Sequence, residues 1–254
     1  MSVNSLLRSR SIRPQRMAVA IALLGLIAIS PLSTANAGAL QIWPIEVSLE
    51  GAGDVVQVNI KNTSGVDTFV QATAVEWPSS DGLINQERTD DVLVSPPVFD
   101  LPADELQTIR LALRKPLDMK TERTYRLVVT EIAKTAGLLP NTLNVAVSMN
   151  MPVFVTPKEA AAKPSWTLVN TDFEGQHLVM KNQGNAHVNI KQIALSAADD
   201  QEPFFQSEKG GYVLAGEEKH WSVEDVLAEL KGSIAVRVET AQGPIQTMIE
   251  LPDS

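Results

Sequence analysis

The three histidines are the side chains in this sequence most suited to serve as catalytic bases or metal ligands. His177, His187 and His220 share no H-x-H or H-E-x-x-H spacing, so we interpret them as solvated or packed residues. The absence of cysteine excludes thiol catalysis and a disulfide framework. No nucleophile elbow, P-loop or dinucleotide-binding motif occurs either. The sequence therefore predicts no enzyme, no bound metal and no cofactor.

One basic side chain suggests a more specific use. Arg126 lies in the strand-like segment Tyr125–Ile132, and its guanidinium offers a planar fork that binds a carboxylate through two hydrogen bonds. In one interpretation it pairs with an acid of its own chain or simply lies at the surface. In the other it lies where two domains converge and binds the terminal carboxylate of another polypeptide. Its position in the sequence leaves both interpretations open.

The segment Leu143–Pro157 predicts a strand at the edge of a sheet. Five larger apolar residues alternate with smaller or polar ones and so share one face: Leu143, Val145, Val147, Met149 and Met151. Pro152 has no N–H to donate, which excludes a central position along the whole strand. Nothing between Lys134 and Lys158 is charged.

An uncharged edge strand is an aggregation hazard unless another chain pairs with it. Strand addition derives affinity from main-chain hydrogen bonds and specificity from alternate side chains, so this segment predicts binding of an extended polypeptide. It also predicts that the free protein caps the strand by forming a homodimer. The alternative is an ordinary sandwich strand with both faces covered.

Short alternating segments separated by turn residues continue along the chain and predict an all-β fold. They include Val55–Ile60, Thr68–Trp77 and Leu106–Leu113 in the first half, and Val188–Leu195 and Gly232–Glu239 in the second. The charged, alanine-rich segment 158–164 predicts a linker. We therefore expect an N-terminal domain at 38–157 and a C-terminal β-sandwich at 165–254.

Residues 1–37 predict a secretory signal. A basic region with Arg8, Arg10, Arg13 and Arg16 precedes the apolar run Met17–Ile29, and Ala35-Asn36-Ala37 fits a cleavage site. An uncleaved anchor is the alternative; no later segment is long and apolar enough to span a bilayer. The whole sequence has a formal net charge of −9, and cleavage would make it more acidic. This charge argues against nucleic acid or an anionic membrane as a partner.

Several motifs together resemble the PapD-like periplasmic chaperones of the chaperone–usher pathway. In the first half these are Ser95–Pro102, Gln107–Arg110 and Tyr125-Arg126-Leu127 with Glu131. In the second half Lys181–His187 and Gly211–Gly216 resemble the turn and strand motifs of that family's second domain.

The resemblance implies two immunoglobulin-like β-sandwich domains arranged at an angle, with a subunit-binding cleft between them. In such proteins the last strand of the first domain is lent to an incomplete pilin subunit, and the subunit then passes to an outer-membrane usher in the periplasm without ATP. By position, the residues that enter the pilin groove are Leu143, Val145, Val147 and Met149, with Met151 at the end of the donated segment.

The sequence departs from the best-known members at the carboxylate anchor. Where those have a basic residue late in the donor strand and an arginine in the first strand, Pro152 and Glu46 stand here. In this respect the chain is similar to the divergent archaic or alternative branch, which makes Arg126 the candidate anchor.

A rival interpretation is a secreted two-domain β-sandwich adhesion or carbohydrate-binding protein. Such a protein would need exposed aromatic platforms, and the tryptophans are scattered: Trp43, Trp77, Trp166 and Trp221.

Overall fold

Alternating apolar residues form β-strands throughout the part of the chain that the structure describes. The structure is a computed structural model that describes residues 40–51, 53–77, 87–115, 119–132, 147–171, 175–197, 202–223 and 232–251. Within these ranges there is no helix long and apolar enough to cross a membrane. The predicted signal at 1–37 lies outside the described residues.

The first nine strands form two facing sheets. In chain order they are β1 (Leu40–Trp43), β2 (Val47–Leu49), β3 (Val55–Asn62), β4 (Thr68–Glu76), β5 (Val92–Ser95), β6 (Val98–Leu101), β7 (Leu106–Leu113), β8 (Arg123–Ile132) and β9 (Ser148–Val155). One sheet has the strand order β1-β3-β7-β5 and the other β2-β9-β8-β4-β6. Because side chains alternate between faces, each strand contributes every second residue to the shared core, as Val58, Ile109, Leu127 and Val153 do.

The remaining strands form a second sandwich with its own core. They are β10 (Pro164–Thr171), β11 (Gly175–Asn182), β12 (Val188–Ser196), β13 (Phe205–Ser207), β14 (Gly211–Val213), β15 (Glu218–Ser222), β16 (Ser233–Thr240) and β17 (Gly243–Glu250). A sheet of order β10-β11-β15 faces one of order β13-β12-β16-β17, in which β14 also pairs with β12. Leu178, Met180, Ile193 and Val236 lie in the core between them. The predicted all-β fold is confirmed.

A buried asparagine performs the same task in each sandwich. Asn62 ends β3 and Asn182 ends β11, and neither side chain is exposed. Each amide nitrogen donates to the carbonyl four residues later, that of Val66 or Ala186, at 2.7 Å. Because a buried amide without partners is costly, these bonds fix the turn that follows each strand.

The segment predicted as a linker, 158–164, lies against the second sandwich. The N–H of Asn185 donates to the carbonyl oxygen of Ala161 at 3.0 Å. A Cβ atom on Gly184 would lie 2.1 Å from that same oxygen, so only glycine permits this approach. β10 begins at Pro164, one residue before the start predicted for the second domain.

Candidate functional site

Strand β9 is paired on both sides over only part of its length. It runs antiparallel to β8 from Ser148 to Val155. On its other side β2 runs parallel to it, but only beside Val153–Val155. Within the described residues, the outer edge of Ser148–Pro152 therefore has no strand beside it, and its backbone groups are available to another chain.

The described part of β9 keeps the predicted alternation. Met151 is 5% exposed and belongs to the core of the first sandwich. Met149 packs against the same core and is only partly buried, and Val147 is also partly buried. Ser148 and Asn150 are exposed on the opposite face. Burial thus decreases along one face toward the start of the strand.

These positions divide the five predicted contact residues into three groups. Met151 is enclosed by the protein's own core, whereas Met149 and Val147 keep apolar surface that a partner can cover. Leu143 and Val145 lie outside the described residues. The contact of all five with a subunit stays a prediction.

Arg126 lies where the open edge of β9 ends. On β8 it is the register partner of Pro152 on one side and of Val75 on the other. Its Cζ atom lies 4.0 Å from the centroid of the Trp77 ring, which is a cation–π contact. Burial lowers the pKa of Arg126 from its usual value, and the nearby Tyr212 opposes this shift. An arginine nevertheless stays charged at physiological pH.

No carboxylate of the described residues is in direct contact with Arg126 to balance its charge. Among the described residues it makes no ion pair and no side-chain hydrogen bond. Its planar donors are therefore free to bind a carboxylate that comes from another molecule.

An aromatic cluster holds Arg126 at the junction of the two sandwiches. Trp77 and Phe154 come from the first sandwich, and their ring centroids lie 6.0 Å apart. Tyr212 of the second sandwich meets the Trp77 ring edge-on at 5.6 Å, and the His187 ring stacks on Phe154 at 3.7 Å. Because Trp77 contacts an aromatic ring from each sandwich, the guanidinium that lies over it is also positioned.

A buried acid and a histidine join the sandwiches beside this cluster. His187 Nδ1 lies 2.8 Å from Glu122 Oε1, and the backbone N–H of His187 donates to the same oxygen at 3.0 Å. Both side chains are almost fully buried. His187 thus serves to connect the domains, a role that sequence reasoning missed because it depends on an acid 65 residues away.

A second contact joins the sandwiches next to Arg126. The Tyr212 hydroxyl donates to Glu46 Oε2 at 2.7 Å. Burial, followed by this hydrogen bond, raises the pKa of Tyr212 above its usual value, so the hydroxyl is a protonated donor at neutral pH. Sequence reasoning missed Tyr212 as well; the only signal was its place in the Gly211–Gly216 motif.

The other candidate chemistry finds little support in the described ranges. No group of three or more His, Cys, Asp or Glu side chains there could hold a metal ion. Of the tryptophans, Trp43 is exposed, but Trp77 and Trp221 are buried and Trp166 packs against the second core. Trp166 and Trp221 stack on each other at 5.9 Å, but Trp221 is buried, so no two of these four residues form an exposed aromatic platform.

Comparison with known proteins places this architecture in a family. Residues 39–161 match the family "Pili and flagellar-assembly chaperone, PapD N-terminal domain". The "Probable fimbrial chaperone EcpB" of Escherichia coli O157:H7 is 27% identical over 210 residues, which cover 79% of this chain and 88% of the relative.

Solved structures share the fold. One is a complex of the chaperone CsuC with the tip adhesion subunit CsuE, from archaic Csu pili of Acinetobacter baumannii (TM-score 0.58, 23% identity, 84% of this chain and 97% of that chain). Another is the Salmonella enterica SafA pilin in complex with the SafB chaperone (TM-score 0.58, 17% identity, 84% and 97%). The two sandwiches described above are thus immunoglobulin-like domains, as expected. The region 39–161 thus belongs to the PapD N-terminal domain family of pilus-assembly chaperones, and the similarity to fimbrial chaperones supports a chaperone function in chaperone–usher pilus assembly.

Proposed function

We propose that this chaperone captures a pilin subunit by adding the subunit's last strand to the open edge of β9 and by binding the subunit's terminal carboxylate with Arg126. The single observation that carries the proposal is the place where the open edge stops. β2 takes over as the neighbour of β9 at Val153, and Arg126 lies beside Pro152, one residue earlier.

The direction of the incoming strand follows from this geometry. A segment that pairs with Ser148–Pro152 cannot continue past Pro152, because β2 already occupies the next positions. A segment that ends at this point as a chain terminus needs no turn to avoid β2. If the terminus is a carboxyl terminus, the segment runs parallel to β9, as β2 does. Its carboxylate then lies next to Pro152, the residue that is paired with Arg126.

The apolar face of β9 supplies the second part of the interaction. Val147 and Met149 lie on the face that is progressively uncovered toward the start of the strand, and the predicted alternation extends this face to Val145 and Leu143. Fully burying one such side chain contributes about 1.5–3 kcal/mol. We therefore assign these side chains to the groove of an incomplete subunit, with Met151 kept in the chaperone's own core.

The remaining parts of the proposal rest on the family. Members are fimbrial chaperones, so we place this one in the periplasm after removal of residues 1–37. The outer-membrane usher is the acceptor of the subunit, and neither an enzymatic step nor a cofactor is part of the cycle. The complexes of CsuC with a tip adhesion subunit and of SafB with a pilin support pilus subunits as the partners.

The direct test is purification of the tagged chaperone from periplasm, followed by mass spectrometry of the proteins bound to it. We expect a one-to-one complex with a pilin-like subunit that is lost when the apolar face of β9 carries a charge. Recovery of no subunit by the wild-type protein, or equal recovery by the charged variant, would contradict the proposal.

A further inference from the structure

A glutamate stands beside the point where the subunit's terminus would lie. The parallel pairing of β2 with β9 sets Val47 opposite Val153. Glu46 immediately precedes Val47 and so lies at the start of β2, where the open edge of β9 ends. Pro152, the last residue of that open edge, is paired with Arg126 on its other side. A subunit strand that runs parallel to β9 and ends at Pro152 lies in line with β2. It would therefore bring its own carboxylate up to the carboxylate of Glu46.

The second sandwich contributes one hydroxyl group, that of Tyr212, to the site near Glu46. Tyr212 donates its proton to Glu46 Oε2 at 2.7 Å, and Tyr212 and Arg126 are close enough to shift each other's pKa. A phenol has one proton to donate, so Tyr212 cannot serve Glu46 and a second carboxylate together. Within the described residues this hydroxyl is the one hydrogen-bond partner of the Glu46 side chain, which forms no ion pair with Arg126.

We infer that Glu46 is an internal competitor of the subunit's terminal carboxylate, and that Tyr212 is the second donor of the anchor. In the free chaperone Glu46 holds the Tyr212 hydroxyl. When a subunit binds, its carboxylate takes Arg126 and the Tyr212 hydroxyl, and Glu46 is left without its donor. This inference rests on the proposed role of Arg126 and adds a regulatory element to the same site.

Competition by Glu46 limits how tightly the chaperone holds a subunit. The negative charge of Glu46 repels an incoming carboxylate, and the loss of its donor adds to the cost of binding. The anchor is therefore weaker than Arg126 and Tyr212 alone would make it. A weaker hold suits a chaperone whose subunit must leave by strand exchange.

The decisive variant is Glu46→Gln. Glutamine keeps a carbonyl oxygen that accepts the Tyr212 hydrogen bond, so the contact between the sandwiches is retained, but the competing charge is removed. Glu50→Gln is a matched control, because Glu50 is exposed at the far end of β2. Tyr212→Phe removes the proposed second donor and retains the aromatic ring.

The probe is a synthetic peptide with the last twelve residues of the subunit that co-purifies with the wild-type chaperone. It is prepared with a free carboxylate and with a terminal amide, and dissociation constants are measured by fluorescence anisotropy. For the free-acid peptide we expect Glu46→Gln to bind roughly 5- to 30-fold more tightly than wild type at low ionic strength, with a smaller gain at high salt. Amide-peptide affinity should be unchanged, and Tyr212→Phe should reduce the preference for the acid.

The outcomes separate this inference from the proposed function. If Arg126→Gln retains the preference for the free acid, or if no variant binds either peptide, the proposed mode of capture is wrong. If Arg126→Gln loses the preference but Glu46→Gln and Glu50→Gln both match the wild type, the anchor stands and the competition is refuted. A tighter hold on both peptides by Glu46→Gln would also refute it, because the gain would not depend on the carboxylate.

Discussion

Arg126 of β8 lies directly opposite Pro152 of β9, and Pro152 is the last residue before β2 closes the outer edge of that strand. The guanidinium of Arg126 is therefore located at the end of the open edge of β9, and not beside its middle. In the proposed mode of capture, a side chain in this position would bind the end of a partner strand and would thereby distinguish a chain terminus from a strand that continues.

Removal of the Arg126 guanidinium should weaken subunit capture. We expect Arg126→Ala to cost roughly 2–5 kcal/mol of binding free energy, much of it from the carboxylate left without a partner. Arg126→Lys should recover only part of this, because an ammonium lacks the planar fork. Co-purification yield and thermal melts of the free chaperone measure the two effects separately.

Arg110 offers a control for this comparison. It is exposed on β7, in the sheet of the first sandwich that does not contain β9, so Arg110→Ala should leave capture unchanged. A large drop in melting temperature for Arg126→Ala, with normal capture by the folded fraction, would instead make Arg126 a structural residue.

A charge on the apolar face of β9 should abolish capture without unfolding the chaperone. Val147→Asp would place a carboxylate in an apolar groove, at a cost of several kcal/mol if it stays unpaired. Asn150→Asp is the matched control, since Asn150 is exposed on the opposite face of the same strand. Capture by Val147→Asp at the wild-type yield would contradict the role of this face.

The buried pair of Glu122 and His187 should stabilise the contact between the sandwiches. Glu122→Ala removes the acceptor of both the His187 ring and its backbone N–H, and we expect a loss of about 3–5 kcal/mol in the free energy of unfolding. Glu122→Gln should lose less, because its carbonyl oxygen still accepts a hydrogen bond. Urea unfolding measures both variants.

An exposed acid gives the comparison for this pair. Glu218 pairs with Lys181 at 2.8 Å in solvent, and Glu218→Ala should change the stability little. Equal effects of Glu122→Ala and Glu218→Ala on the free energy of unfolding would show that the buried pair stabilises the protein no more than an exposed pair does.

Tyr125 should make the protein sensitive to alkali. Burial, together with the hydrogen bond from its hydroxyl to Asp91 Oδ2 at 2.7 Å, raises the pKa of Tyr125 above its usual value. The folded state thus holds this proton more tightly than the unfolded state does. The resulting stability is complete below the ordinary tyrosine pKa of about 10 and decreases as the pH rises above it.

The variant Tyr125→Phe tests whether Tyr125 causes this loss of stability at alkaline pH. At pH 7 it should cost about 1 kcal/mol through the lost hydrogen bond. Above about pH 10 the wild type should lose stability with a steeper slope than the variant, as urea unfolding at several pH values would record. Parallel slopes would show that another group dominates the alkaline response.

The open edge of β9 should also drive self-association of the free chaperone. Because a dimer and a subunit complex would use the same backbone and the same apolar side chains, they should exclude each other. Sedimentation at increasing concentration should show a dimer that disappears when a subunit is added. A strictly monomeric free protein at high concentration would mean that other parts of the chain cover the edge.

The strands and their buried faces could be predicted from the sequence, because a period of two is a local property of the chain. The prediction for Leu106–Leu113 matches β7 at both ends, and that for Thr68–Trp77 exceeds β4 by one residue. Pro152 likewise predicted that β9 lies partly at an edge, and the structure places it where the open segment ends. The alternation of apolar residues and the missing N–H of proline were sufficient for these conclusions.

Only the tertiary structure decided which side chains meet at the site. Tyr212 and Glu46 are 166 residues apart, and their hydrogen bond exists because two separately folded sandwiches come together. The alternation that grouped Met151 with Val147 could not reveal that the protein's own core already encloses Met151. Periodicity identifies the face of a strand, but what covers that face depends on elements that are distant in the sequence and adjacent only after folding.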